Sequence, residues 1–557
     1  MKKKVLILGL VASVLATPGC VNDKIDGLQQ QIDDLNSKVG ELEKSQQEAL
    51  LNAMAAMEVK MAALSSERDA DYEQIMEQMR LMQEEVANNS DAIYYGNLLT
   101  DADYEAFATQ GATILTGKAV LKSADQYQKI AAAKLVGGDL LISGLAEVDF
   151  EMLQTVGGHL SVSAFQDGGK VTFSKLTSVG GDMVIAEGAG LTAVDAPELV
   201  LINGGLTSEM NDALTSLTLP SLDQVSDVLV DGYLEDDPTY LHLGVLSALD
   251  LGGAHITDNV AVSYVSGGEL VLGTVGGSFE CVMTGLTTIS STTTMLEGGL
   301  VLDRNFAVET VDFESLEKLY GELNISSNDN SYDWEATEST GLSELPAFSA
   351  LTEIHGSVII NNNGNMTEAI GLNAVTTFVG EKISINTSGS KTLNVISVFN
   401  ELTEVKASTY GFADVEVFAY ASWFKSFSKL ERANDLRLAL KAVQDLGGGI
   451  SSVQNTANVR LDGFEALNTV RYLNLDAGDV TEFNALGSLD RFLSYGDYLY
   501  LTMPKDENVG LCSMEPIFNK INNGDFEGGN KKATFSFNWA NMETQEAITQ
   551  LLTPCND

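Results

Sequence analysis

Catalysis or metal binding would call for histidine, cysteine and carboxylate groups at fixed short spacings, and this chain offers 4 His and 4 Cys in 557 residues. His159, His242, His255 and His355 stand too far apart for a zinc ligand pair or a recognisable triad segment, and no phosphate-cradling glycine loop or nucleophile elbow occurs. His159 and His355 each precede an alternating apolar run, a position that suits a solvent-facing turn. The densest basic set is Arg432, Arg437, Arg460 and Arg471, whose expected role is to neutralise acidic neighbours. The remoter alternative is the charged cluster of a β-helix polysaccharide lyase. Asn328, Asp329 and Asn330 carry oxygens that suit calcium, but not in EF-hand order. The sequence therefore predicts a non-catalytic protein that needs no metal and no cofactor.

Asp and Glu number 78 against 32 Lys and Arg, a formal charge of −46 that repels phosphate backbones and anionic polymers. Nucleic acid is excluded as a partner, and a polyanionic substrate would meet the same repulsion. Cys512 and Cys555 bracket the last apolar segments, and in an oxidising compartment they could close a loop worth ~3–4 kcal/mol. Two reduced, buried thiols are the alternative. Cys281, at an alternating position in Phe279-Glu280-Cys281-Val282-Met283, reads as a small core residue.

These groups need elements to hold them, and the first lies at the N-terminus. Lys2, Lys3 and Lys4 precede an apolar run from Val5 to Ala16, which is shorter than the ~20 residues that span a bilayer. The run ends in Thr17-Pro18-Gly19-Cys20, which resembles a bacterial lipoprotein cleavage site. The resemblance implies a signal peptide over 1–19, acylation of Cys20, and anchorage in a bacterial outer membrane through lipid. Asp23 and Asp26 resemble the export tags of Bacteroidota-type lipoproteins and so imply exposure at the cell surface. An ordinary signal followed by an incidental Cys is the competing reading.

From Ile25 the apolar positions run Ile25, Leu28, Ile32, Leu35, Val39 and Leu42 in alternating steps of three and four. Ile or Val at one core position and Leu at the other favour a parallel coiled coil, which predicts a homo-oligomer, dimer or trimer. The register slips near Gln46 and resumes at Met54, Met57, Met61 and Leu64. No Pro interrupts 21–97, so a coiled-coil stalk over 20–93 is predicted, with roughly 110 Å of helix at 1.5 Å per residue. A single amphipathic helix folded back on the body is the alternative.

The rest of the chain repeats one phrase, Phe-x-x-Leu-x-x-Val-Gly-Gly-x-Leu-x-Val. Copies start at 150, 173, 196 and 219, and later at Phe313, Phe348, Phe399, Phe427, Phe464 and Phe483 with looser spacing. Apolar steps of three suit a tight inward-facing segment, Gly-Gly suits positive φ or close backbone approach, and the following alternation suits a strand with one buried face. One strand per coil of about 23 residues, stacked in parallel about sixteen times, predicts a mainly β, β-helix-like solenoid over 94–510. A cap over 511–557 follows.

Leu176-Thr177-Ser178-Val179-Gly180-Gly181-Asp182-Met183-Val184-Ile185 and Leu135-Val136-Gly137-Gly138-Asp139-Leu140-Leu141-Ile142 resemble the receptor L-domain class of leucine-rich repeats. The likeness covers about residues 105–510, implies the solenoid fold, and is nearly silent on function. Together anchor, stalk and repeat predict a lipid-anchored surface protein whose repeat face binds a macromolecule such as a glycan, a host protein or an envelope component. The alternative is a structural envelope protein that assembles through its coiled coil. Small polar residues at outward strand positions, among them Ser161, Ser163, Asn324, Ser326, Asn361 and Asn474, are the candidate contacts. Tyr332 and Trp334, in a polar insertion, are a candidate stacking platform.

Overall fold

The computed structural model describes residues 22–64, 80–81, 83–84, 86–232, 243–330, 340–387, 393–407, 411–441, 459–489, 491–492, 498–506, 508–523, 532–537, 540–542 and 544–556. Cys20, Tyr332 and Trp334 lie outside these residues, as does His242.

The body is a parallel β-solenoid of about 16 turns with about 23 residues per turn. Its longest sheet is an open ribbon that runs from Ala119–Leu121 to Tyr498–Thr502 and Lys532–Phe537, each strand bonded to the equivalent strand of the next coil. An antiparallel strand, Ala540–Met542, closes the C-terminal edge. That edge would otherwise present unpaired amides to another chain.

The coil contains more than the one strand expected from sequence. In the coil that holds Met183–Ala186, a two-residue strand, Ser178–Val179, enters the Gly-Gly turn, and a third strand, Leu191–Asp195, follows the ribbon. Each pairs in parallel with its counterparts, giving two side sheets beside the ribbon. The two-residue strand is too short to show a period of two, and Leu191–Asp195 breaks the alternation with two half-exposed residues in succession, so both read from sequence as turn and linker.

One apolar cluster runs unbroken from Leu98 to Leu551. Phe173, Leu176 and Val179 are fully buried in it, and Leu176 N–H donates to the Phe173 carbonyl at 3.3 Å, the tight turn that steps of three imply. Phe150 and Phe173 of successive coils stack at 5.5 Å. Of the two roles open to Gly-Gly, close approach is the one observed. Neither Gly157 nor Gly158 is left-handed, and a Cβ on Gly157 would lie 2.4 Å from the Gly137 carbonyl oxygen.

The N-terminal helix spans Asn22–Leu64, about 64 Å at 1.5 Å per residue. Leu50 and Met54 pack on the outward residues of the first side sheet, Ile93, Ile114 and Leu135, and on Val86. Gln47 and Gln83 bond back to Val86 and Glu58, so residues near 83–86 lie alongside the helix. A single rod through 93 is therefore not formed. The helix runs along the stack: Glu43 acts on Tyr95 in the first coil, and Leu50 touches Gly137 two coils later. Seven helical residues rise ~10.5 Å, which matches two strand spacings of ~4.8 Å. Residues 22–42 consequently project about 30 Å beyond the first coil. In that part Leu35, Val39 and Leu42 are 54%, 46% and 59% exposed.

Candidate binding face

The ribbon presents alternate side chains outward in continuous, in-register rows. One row runs Ser161, Val184, Thr207, Leu229, Ala261, Glu280, Val301, Asn324, and continues through Ile359, Ser384, Glu416, Arg437, Asn474 and Tyr500. A second row carries Ser163, Ser326 and Asn361. Asn324, Ser326 and Asn361 are thus neighbours: Ser326 is in register with Asn361, and its hydroxyl donates to Asn324 Oδ1 at 2.5 Å. Asn324 Nδ2 in turn donates to Glu322 at 3.1 Å. Asn474 shares the row of Asn324 but lies five strands along, roughly 24 Å away.

Several residues that could do chemistry are engaged elsewhere. Asn328 belongs to a buried ladder: Asn305 Nδ2 donates to Asn328 Oδ1 at 2.8 Å, and Asn328 Nδ2 donates to Asn363 Oδ1 at 3.2 Å. These amides also reach the Cys281, Leu302 and Ile325 carbonyls at 2.8–3.0 Å, satisfying the backbone where each coil leaves the ribbon. Asp329 is buried and accepts the Gly364 N–H. The pattern Leu-x-Leu-x-x-Asn at Leu300–Asn305, recurring as Leu323-x-Ile325-x-x-Asn328 and Val358-x-Ile360-x-x-Asn363, was the available signal for this ladder, and repeat phasing on Phe and Gly-Gly passed over it.

His159 stands in the turn before its strand, where its Nδ1 accepts the Asp182 N–H at 3.0 Å. It is one rung in a series of side-chain acceptors at this corner. Asp139 accepts the His159 N–H at 3.0 Å, and Asp182 accepts the Gly205 N–H at 2.9 Å. His355 lies 2.5 Å from Glu353, and hydrogen bonds from His355 and Lys318 hold the Glu353 carboxyl below its usual range. Cys281 is buried, and burial pushes its thiol up to about 12. Cys512 and Cys555 are bonded to each other, with Cα atoms 5.5 Å apart. The bond ties the last described turn, Thr553–Asn556, to the segment that follows the final coil.

The four arginines do not form one cluster. Arg437 meets Glu416 at 2.8 Å and Asp435 at 3.8 Å on the ribbon, Arg471 meets the same Asp435 at 2.6 Å, and Arg460 meets Asp462 at 2.6 Å on a side sheet. Arg460 and Lys425 also flank the Trp423 ring at 5.2 and 4.3 Å, while Trp423 Nε1 donates to Asp462 at 2.8 Å. Burial works against the Asp462 carboxylate, but its bonds from Asn484, Trp423 and Arg460 outweigh that and lower its pKa. Among the described residues no group of three or more His, Cys, Asp or Glu could hold a metal ion.

Sequence reasoning named Asn474 but missed the aromatics around it on five consecutive late ribbon strands, Lys382–Asn386, Asp414–Tyr420, Asp435–Lys441, Tyr472–Asp476 and Tyr498–Thr502. Phe418 and Tyr500 are each 41% exposed, and Tyr420 and Tyr472 are half-buried beside them. The Tyr472 and Tyr500 rings sit 5.9 Å apart at a tilt of 46°, and the Arg437 guanidinium lies 5.8 Å from Tyr472. The signal was the outward placement of aromatics between buried partners, as in Val417-Phe418-Ala419-Tyr420.

No known protein family, no curated protein and no solved structure matches this chain. The fold therefore stands on coil geometry alone.

Proposed function

We propose that this protein is a lipid-anchored, non-catalytic surface protein of a bacterial outer membrane, whose solenoid ribbon binds a macromolecule. In this reading Cys20 carries the lipid, the receptor L-domain resemblance reflects a shared coil, and the projecting part of the helix lifts the body from the membrane. The observation that carries it is the ribbon's outer face: a long flat surface with in-register rows of solvent-facing side chains. Such a surface suits an extended partner better than a small molecule, which needs a concave site. The disulfide between Cys512 and Cys555 agrees with an exported protein.

Two measurements test the proposal. In intact cells, Cys20→Ala should release the protein from the membrane fraction, and full retention would contradict the anchor. Arrays of glycans and matrix proteins probed with the chain from residue 21 onward should give a specific signal, whereas uniformly blank arrays would refute the binding role.

The exposed Leu35, Val39 and Leu42 favour a second reading, a structural envelope protein whose helices pair between copies. Cross-linking in intact cells separates the two. A lattice protein gives abundant self-adducts through the body, whereas a binding protein on a paired stalk gives them only through the helix.

A further inference from the structure

We infer that the aromatic surface on the five consecutive ribbon strands from Lys382–Asn386 to Tyr498–Thr502 is a binding site for an uncharged polysaccharide, with Tyr472 and Tyr500 as its stacking platform. This rests on the binding role proposed above and names the class of ligand. The contrast along the ribbon is the first argument. From Leu140–Ser143 to Lys382–Asn386 the described outward positions of the ribbon strands hold no aromatic side chain. The exposed rings on the ribbon begin at Phe418. Aromatic faces left in water on a flat sheet cost hydration free energy unless something apolar covers them, and the C–H faces of a sugar ring supply such a cover.

Charge selects among extended partners. The chain carries −46 overall, yet this surface is balanced. Lys382, Arg437, Lys441 and Arg471 oppose Asp414, Glu416, Asp435 and Asp476. Lys382 and Arg437 share Glu416, Arg471 pairs with Asp435, and Lys441 pairs with Asp476. Asp414 accepts from Asn434 Nδ2 at 2.6 Å. A polyanion would meet the acidic remainder of the body, and a polycation would have to break these pairs. A hydroxyl-rich neutral chain can lie on the rings and hydrogen-bond to the oxygens and nitrogens around them, Asn474 included. The two rings lie diagonally on adjacent strands, because Tyr500 is in register with Asn474, and their centroids are 5.9 Å apart, so a chain crossing the strands obliquely meets one after the other.

The test is affinity electrophoresis of the chain from residue 21 onward in gels that contain hydroxyethylcellulose, laminarin, galactomannan, xyloglucan or, as the charged counterpart, polygalacturonate. At least one neutral polymer should retard the protein and polygalacturonate should not. The double variant Tyr472→Ala/Tyr500→Ala should weaken that retardation by about tenfold or more, the loss expected of a central aromatic anchor. The pair Tyr472→Phe/Tyr500→Phe should retain most of it, and Val271→Ala, exposed on a side sheet away from the ribbon, should leave it unchanged. Thermal unfolding of each variant separates loss of fold from loss of binding. Preference for polygalacturonate, or no retardation by any of the four neutral polymers, overturns the inference. Equal retardation of the double alanine variant overturns it while leaving the broader binding role intact. That role itself falls only if the glycan and matrix-protein arrays are also blank.

Discussion

The early and late coils solve the same folding problem with the sharp corner in different places. From Gly144 to Asn362 the left-handed residue follows the ribbon strand, at Ala164, Glu187, Met210, Tyr264 and Ser327. From Leu372 onward it moves to the next corner and falls on Phe399, Phe427, Phe464 and Leu486. With the bend at the fifth position the ribbon strand stops after four residues, as in Leu160–Ser163, or carries on through it to six, as in Phe279–Thr284 and Leu300–Asn305 with left-handed Met283 and Arg304. Without it, the strands run from five residues in Tyr472–Asp476 and Tyr498–Thr502 to seven in Asp414–Tyr420 and Asp435–Lys441. The two longest ribbon strands thus lie where the bend is absent, and one of them carries Phe418 and Tyr420. The late corner puts bulky residues in a conformation that costs L-amino acids about 1–2 kcal/mol. Stacking of Phe427 on Phe399 at 5.5 Å and on Phe464 at 5.1 Å offsets that cost.

Both halves share close backbone contact at the Gly turn, so the largest effects should be alike in the two. A Cβ on Gly157 would lie 2.4 Å from the Gly137 carbonyl oxygen, and one on Gly380 2.3 Å from that of Gly356. Gly157→Val and Gly380→Val should each cost about 3 kcal/mol or more, read by denaturant unfolding. A benign result at either position would break the common-coil description. The Phe spine should separate the halves. Phe427→Ala should cost about 3–5 kcal/mol and exceed the cost of Phe173→Ala, because Phe427 stacks on rings in both neighbouring coils. Asn328→Ala, which removes the amide from the Leu302 carbonyl, should cost about 1–3 kcal/mol, and more than Asn373→Ala in the late coils, where a half-buried Asn373 donates to the Ser397 carbonyl at 3.1 Å and accepts the Asn400 N–H at 3.1 Å. At the early corner, Glu187→Gly should change stability by less than about 1 kcal/mol, because relieved strain and added unfolded-state freedom oppose each other.

The smallest expected effect depends on pH. Hydrogen bonds to the Glu353 carboxylate lower its folded pKa, so its contribution is present above the unfolded value and is lost as pH falls through the folded one. Glu353→Gln should therefore lower stability slightly near neutral pH, converge with the wild type at low pH, and so flatten the acid limb of the stability curve. A variant curve parallel to the wild type at low pH would remove the pair from the account.

What the sequence made legible follows from how each contact repeats. Phe173, Leu176 and Gly180-Gly181 recur at a fixed interval because every coil needs the same corner, and the solenoid could be read from them. The side strands could not, because two residues such as Ser178–Val179 carry no pattern. Docking of the helix was hidden by distance along the chain. Its trace was the outward residue before each Gly-Gly corner, apolar at Ile114 and Leu135 but polar at Thr155 and Ser178. Of the proposed contacts, Asn324, Ser326 and Asn361 come together, because alternation predicts which way a side chain points. Alternation is equally present at Phe418 and Tyr420, but reading outward positions only for small polar groups left the aromatics aside.

The central claim is that one straight stack of coils carries one ribbon, and distances between spin labels along a single row test it most directly. Seven strand steps separate Ser161 from Asn324, and five separate Asn324 from Asn474. Labels on Ser161→Cys, Asn324→Cys and Asn474→Cys, taken in pairs, avoid the buried Cys281, whose thiol burial pushes up to about 12. At ~4.8 Å per step the separations should be about 34 Å, 24 Å and 58 Å, with the longest close to the sum of the other two. A longest distance well short of that sum would mean a strongly curved or divided body, and would contradict the account.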